Sequence, residues 1–293
     1  MPAAELEVRP ELVRRLLRAQ HPDLADLPLE VVANGWDNVI VKAGDHLVVR
    51  LPRRQAAAQF IVNEQHWLPI LAPRLPLPIP APLRVGQPGC GYPWPWTISA
   101  FLPGQTAART PPADQRQAAE SLGAFLAALH TTAATDAPVN ASRGIPLAQR
   151  QQTFTQNLAA LGGVVDPRAA NRLWEAAVQA PAWPEPSVWL HGDLHPANII
   201  VHDGRIGGVI DFGDITAGDP ATDLSVCWML LPPTSHEHFW AGYARGTAHE
   251  TGADLRLRAK GWALALALVF LAYSSDNPLL TRIGQRTLSS VLA

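Results

Sequence analysis

The chain has 293 residues, 47% of them hydrophobic, and a formal net charge of −2. That length holds one large domain or two lobes and can bury a substantial core. The near-neutral charge supplies no general drive toward nucleic acid or an anionic membrane surface, and of the 23 Lys and Arg residues only Lys42 and Lys260 are lysines, a mark of GC-rich coding rather than of a basic patch.

The start, "MPAAELEVRPELVRRLL", has no apolar core of a signal peptide. Residues 9–20 read as a helix with Leu12, Leu16 and Leu17 on one face. Three short β-rich runs follow, "LEVVANG", "NVIVKAG" and "HLVVRLP", separated by Gly-containing turns, which predicts a meander of hairpins. A helix is expected over Phe60 to Leu71, carrying Glu64. Pro73 to Pro95 is dense in proline and is expected as loop and edge strand. Its "YPWPW" aromatics read as packing rather than a ligand box. "WTISAFLPG" closes the region as one more strand and a connector near residues 99–104.

Beyond residue 104 the pattern turns helical. "QAAESLGAFLAALH" sets Leu122, Phe125, Leu126 and Leu129 at helical spacing, and helices alternate with loops to about 180. Two short strands then flank a loop rich in acids, and the chain is helical again from about Leu224. The longest apolar run, Trp262 to Tyr273, is too short to span a bilayer and is expected as a buried helix. Cys90 and Cys227 form no metal-ligand spacing, which suits a reduced, cytoplasmic compartment. His236 and His238 point to different faces of a helix and are discounted as a zinc pair. The plan is a small β-rich N-lobe over residues 1–101 and a larger, mainly helical C-lobe over 102–293, an α+β bilobal arrangement suited to a ligand held in a cleft.

The chemistry is concentrated in "LHGDLHPANIIVHDGRIGGVIDFGD", Leu190 to Asp214. Asp193 precedes Asn198 by five residues, and Asn198 opens the run "NIIV"; the next strand, "GGVID", ends at Asp211. Asn and Asp offer hard oxygens suited to Mg²⁺, which keeps several waters and takes further ligands from substrate phosphates. Asp193 remains as the group that accepts a hydrogen bond from an attacking hydroxyl, as in kinase-type phosphoryl transfer. A merely solvated acidic loop would not be set between runs of Ile and Val. His191 reads as a brace for the loop; His195 either contacts phosphate or is simply exposed.

These motifs resemble the aminoglycoside phosphotransferase family, small-molecule kinases with the protein-kinase fold. "HGDLHPAN" and "IDFGDITAGDPATDL" match its pair H-G-D-x-x-x-x-N and I-D-F/W-x-x-x-x-x-G-D-P-x-x-D-L. The resemblance implies that Asp193 is the catalytic base and that Asn198 and Asp211 hold magnesium. It implies that Asp219 and Asp223 are structural and tie the catalytic loop to the helix starting near Asp223. It implies ATP or GTP as donor, bound by the N-lobe, and a hydroxyl of an antibiotic as acceptor; a metabolite kinase of the same fold or a non-catalytic nucleotide-binding scaffold are the alternatives. "ANGWDN" stands where a glycine-rich loop is expected, with Gly35, Asp37 and Asn38 near the phosphates; Trp36 at its tip is either a shield or an ordinary exposed aromatic. Arg50 in "VVRLP" stands where protein kinases carry lysine, paired with Glu64; Lys42 is the rival cation. Backbone groups of Ser99 to Phe101 are expected on the base edge. The acceptor is expected over the helices after residue 224, near Glu237, Glu250, Asp254 and Asp276 or an apolar tract including Trp228, Phe239 and Trp262.

Overall fold

A computed structural model describes residues 3–293. The chain folds as two compact units. The first contains the residues up to Pro73, Pro78–Pro103 and Asp211–Gly213. The second contains Arg74–Leu77, Gly104–Ile210 and Asp214–Ala293. Both short exchanges fall outside the division at residue 101 that the sequence suggests.

The first unit opens with α1 (Pro10–Gln20), which buries Leu12, Val13, Leu16 and Leu17, an i, i+4 stripe that seats one face on the sheet. Strands β1 (Leu29–Asn34), β2 (Asn38–Ala43) and β3 (Leu47–Pro52) form the expected antiparallel meander. Helix α2 (Gln55–Leu71) begins five residues earlier than Phe60 and carries a buried Glu64. Strand β4 (Pro82–Gly86) is the edge of the sheet and β5 (Trp96–Ala100) lies between it and β3, giving the order β1-β2-β3-β5-β4. The proline-rich aromatics are core: Tyr92, Trp94 and Trp96 are buried with the α1 leucines. Each has its polar atom satisfied: Tyr92 Oη donates to Pro52 O at 2.7 Å, Trp94 Nε1 to Gln55 Oε1 at 2.7 Å and Trp96 Nε1 to Gln87 O at 3.0 Å.

The second unit begins with β6 (Gln105–Thr106) and α3 (Gln115–Leu129), whose N-cap Asp114 accepts from Gln117 N. After α4 (Gln151–Ala160) and α5 (Pro167–Gln179) come β7 (Val188–Leu190), β8 (Ile199–His202), β9 (Arg205–Val209) and β10 (Thr216–Gly218). β8 and β9 are the two short strands expected; β7 pairs with β10 as an additional ladder that brackets them. The helical remainder runs through α6 (Ala221–Leu224), α7 (Val226–Leu230), α8 (His236–Gly246), α9 (Ala253–Tyr273) and α10 (Pro278–Leu292). α3 and α8 cross closely, because a Cβ on Gly123 would stand 2.3 Å from Phe239 O. α9 is apolar around most of its circumference and buries Trp262, Leu264, Leu266 and Leu268 among others, as a central helix must. No helix among the described residues is long and apolar enough to cross a membrane.

Candidate active site

In the second unit β7 delivers the chain to the 191–198 loop, and the turn depends on Gly192. Its φ is +87°, and a Cβ there would stand 2.1 Å from Asp214 O. The loop backbone is pinned by one carboxylate. Asp223, fully buried, accepts His191 N–H at 2.7 Å on Oδ2 and Gly192 N–H at 2.9 Å on Oδ1. Its Oδ2 also lies 3.2 Å from His130 Nε2, while His130 Nδ1 lies 3.0 Å from Tyr243 Oη. His191 bridges two backbone groups: Nδ1 accepts from Asp193 N at 3.2 Å, so the proton on Nε2 is donated to Ile210 O at 2.9 Å.

The side chain of Asp193 projects from this scaffold, 27% exposed. Arg143 Nη2 donates to its Oδ1 at 3.0 Å, and His195 Nε2 lies 3.4 Å from Oδ2. Ala197 N–H donates to His195 Nδ1, which fixes the tautomer with the proton on Nε2, facing the carboxylate. Burial opposes the charge on Asp193, but His195 and Arg143 outweigh it and hold the carboxyl well below the usual range. His195 is therefore not an exposed residue; it is buried against Asp193 and edge-on to Phe270 at 5.3 Å. Asn198 Nδ2 donates to Asp193 O at 2.9 Å, which ties the two ends of the five-residue spacing. Its Oδ1 has no hydrogen-bond partner among the described residues. Ile210 N–H donates to Asn198 O at 2.9 Å, and Asp211 is the next residue of the chain.

The first unit holds the cation. Arg50 on β3 donates through Nη1 to Glu64 Oε1 at 2.5 Å and through Nη2 to Asp211 Oδ1 at 2.7 Å. With the Asn38 amide turned so that its oxygen meets the guanidinium, Oδ1 lies 2.9 Å from Nη2 and 3.1 Å from Nε. Burial pushes Glu64 up to about 7 against the pull of Arg50. Burial also works against the charge on Arg50, yet the carboxylates of Glu64 and Asp211 hold its pKa above the ordinary value. Asp211 has φ +65°, a left-handed backbone that Asp tolerates better than most residues and that is common where function fixes the geometry. Lys42 instead meets Asp45 at 3.6 Å and lies over the Phe101 ring at 5.0 Å, apart from this network. The β1–β2 turn is closed by Gly35 N–H donating to Asn38 O at 2.9 Å. Two arginines outside the sequence reading also hold it: Arg53 donates to Asn34 Oδ1 and Gly35 O, both at 2.9 Å, and Arg54 pairs with Asp37. Trp36 at the tip is 52% exposed.

Three expectations need correction. Ser99 lies opposite Val48 in the ladder, and Phe101 donates its N–H to His46 O at 2.8 Å, so neither presents a free donor at the connector. Strand alternation turns the backbone groups of Ala100 to the other side, and beyond the end of β5 Leu102 N–H has no backbone partner among the described residues. Asp219 does not tie the loop down. It accepts Ala221 N–H at 2.9 Å and binds Arg258 Nε at 2.8 Å, so it anchors α6 to α9. The aromatic tract is not a pocket wall: Trp228, Phe239, Trp240, Tyr243 and Trp262 are buried core, while Glu237 pairs with Arg256 on the surface.

Among the described residues no three His, Cys, Asp or Glu side chains gather as a metal cage. Asn198 Oδ1 in the second unit and the Asp211 carboxylate in the first are each a hard oxygen of the kind that Mg²⁺ accepts. Arg143, His130, Arg53, Arg54 and Arg258 escaped the sequence reading. Only His130 carried a signal, a lone polar residue closing the apolar stripe of "AFLAALH".

The sequence profile of APH, the phosphotransferase enzyme family, matches residues 28–262. The chain belongs to that family. An aminoglycoside 3′-phosphotransferase of Escherichia coli is 28% identical over 142 residues, 46% of this chain and 52% of that protein. One of Salmonella typhimurium is 27% identical over the same length. The chain thus spans about half the length of the curated relatives it matches. Among solved structures, macrolide 2′-phosphotransferase MphH of Brachybacterium faecium superposes with a TM-score of 0.64 at 25% identity, covering 95% of this chain and 97% of that one. The GDP and kanamycin complex of APH(2″)-IIia superposes with a TM-score of 0.70 at 19% identity over 95% and 97%. The fold of the phosphotransferase family, kinase-like and α+β, is therefore that of this chain along nearly its whole length.

Proposed function

We propose that this phosphotransferase-family protein moves the γ-phosphate of ATP or GTP to a hydroxyl of a small molecule of the antibiotic class, such as a macrolide, an aminoglycoside or a related natural product. The observation that carries the reading is Asp193. It is ionised, held on both oxygens by Arg143 and His195, and bound through its backbone to the amide of Asn198.

In this reading Asp193 accepts a hydrogen bond from the acceptor hydroxyl and orients its lone pair toward the phosphorus. In a loose transition state that orienting role outweighs proton removal. The His195 proton holds the carboxylate in place. Arg50 takes the donor phosphates bidentately, exchanging Asp211 for phosphate oxygens while Glu64 keeps the guanidinium in position. Gly35, Asp37 and Asn38, with Arg53 and Arg54, shape the turn over the phosphates. The backbone of Ala100 and Leu102 takes the base edge. Asn198 and Asp211 hold Mg²⁺, which neutralises the charge of the phosphate oxygens when bound. The first unit is the nucleotide-binding part and the second the acceptor-binding part, working in the cytoplasm where the nucleotide is supplied.

The test is Mg²⁺- and nucleotide-dependent phosphorylation of an antibiotic panel, beside growth of a sensitive host carrying either the wild type or Asp193→Asn. Protection and transfer by the wild type and loss of both in the variant are expected. Transfer that persists in Asp193→Asn would remove the assignment.

A further inference from the structure

A cavity of about 620 Å³ opens in the second unit, lined by Ala108, Arg109, Asn277, Pro278, Leu279 and Arg282. It adjoins the 191–198 loop: Ala108 N–H donates to Pro196 O at 3.0 Å, Ala107 N–H donates to Ile199 O at 2.8 Å, and α10 packs on the Pro196–Asn198 turn. The polar side chains of its wall offer donors only. Arg109 and Arg282 have neither an ion pair nor a side-chain hydrogen bond among the described residues. Asn277 Oδ1 is already taken by Leu279 N–H and Leu280 N–H at 3.2 and 3.3 Å, which leaves its Nδ2. The neighbouring acid, Asp276, is exposed and already engaged. Nearer Asp193 the surroundings are cationic as well, since Arg143 sits on the carboxylate and Arg150 is buried close enough to Arg143 to feel its charge.

We propose that this cavity is a subsite for an oxyanion, a carboxylate or a phosphate, carried by the acceptor beside the hydroxyl that Asp193 orients. Two guanidinium forks and a carboxamide N–H suit an oxyanion, whereas a polycation would meet like charge without an acceptor. The apolar wall of Ala108, Pro278 and Leu279 takes the carbon frame next to the charge. The inference rests on the phosphotransferase reading and narrows its acceptor to a hydroxylated molecule of low positive charge with an anionic group.

Two arms separate the cavity from the reaction. In the first, inorganic phosphate and citrate are titrated by calorimetry into the wild type, Arg50→Ala and the double variant Arg109→Gln/Arg282→Gln, with folding of each checked by circular dichroism. Binding that survives Arg50→Ala and weakens roughly ten- to hundredfold in the double variant is expected; equal binding in all three overturns the subsite. In the second, nucleotide-dependent transfer is measured to sugar acids, sugar phosphates, the parent sugars and kanamycin. Preference for one anionic series, with its KM raised roughly tenfold or more by the double variant, supports the proposal and tells carboxylate from phosphate. Efficient use of kanamycin with a KM indifferent to both arginines overturns it. Transfer to no acceptor at all, with anion binding still lost in the double variant, removes the phosphotransferase reading and leaves the anion site standing.

Discussion

The two units hold their charged groups in different ways. In the second unit the 191–198 loop hangs from buried, fully directed hydrogen bonds: Asp223 accepts two consecutive backbone N–H groups and faces His130, and His191 bridges Asp193 N to Ile210 O. In the first unit Arg50 is held by charge, with Glu64, Asp211 and the Asn38 amide around one guanidinium. A directed backbone scaffold fixes where a side chain points. A charge cluster fixes only that some anion is near, and a phosphate can replace Asp211 without rebuilding the backbone. That suits a rigid part that orients one hydroxyl and an exchangeable part that receives a phosphate chain.

The largest effect should come from the oriented group. On the proposed reading Asp193→Asn keeps the shape and loses the charge that would accept the hydroxyl, and transfer should fall by about 10²–10⁴-fold. Nucleotide binding, followed by calorimetry, should hardly change. If nucleotide affinity falls with activity, Asp193 belongs with the charge cluster and the contrast between the units collapses.

Next comes the scaffold. Asp223→Ala leaves the buried N–H groups of His191 and Gly192 without an acceptor and should cost about 3–5 kcal/mol in denaturant unfolding. Loss of stability below about 1 kcal/mol would mean that water enters and takes over these bonds.

For the charge cluster the prediction is functional. Arg50→Ala should raise the nucleotide KM roughly tenfold or more and lower kcat, because the planar fork both binds and aligns phosphates. Lysine at this position should restore activity only in part. Lys42→Ala, a surface change beside Asp45, should move stability by no more than about 0.5 kcal/mol and leave the nucleotide KM alone. The opposite outcome would exchange the two cations.

What was legible in the sequence follows the same division. The Asp193–Asn198 spacing could be read because five residues of loop carry it, and the Arg50–Glu64 pair because a strand and the following helix do. Arg143 could not be read: it meets Asp193 across fifty residues from a loop without periodicity. Asp219 and Asp223 stand four apart in one motif, yet one faces Arg258 and the other the 191–198 loop, and only packing separates them. At the connector, alternation along β5 decides which carbonyls and N–H groups are free, and that parity depends on the register with β3, which the sequence does not show. The aromatic tract after residue 224 offers large apolar side chains that suit a pocket or a core equally; the turns of α7, α8 and α9 put them in the core.

The smallest effect tests the comparison through pH. Glu64 is raised to about 7 by burial, whereas Asp193 is held low by His195 and Arg143. Between about 4.5 and 7 the folded chain keeps a proton on Glu64 that the unfolded chain has released. Folded protein then binds more protons than unfolded, so stability from this group falls as pH rises through that window. Asp193 contributes with the opposite sign: its stabilisation is present above the ordinary carboxylate pKa and is lost progressively as pH falls below it, so it stays nearly constant over the same range. Glu64→Gln cannot lose a proton there and keeps an oxygen for Arg50. Thermal midpoints of wild type and Glu64→Gln, followed from about pH 5 to about pH 8, should therefore diverge, with the wild type losing ground as pH rises. Parallel curves would mean that Arg50 holds Glu64 ionised throughout, which would make the first unit's pair as fixed as the second unit's loop.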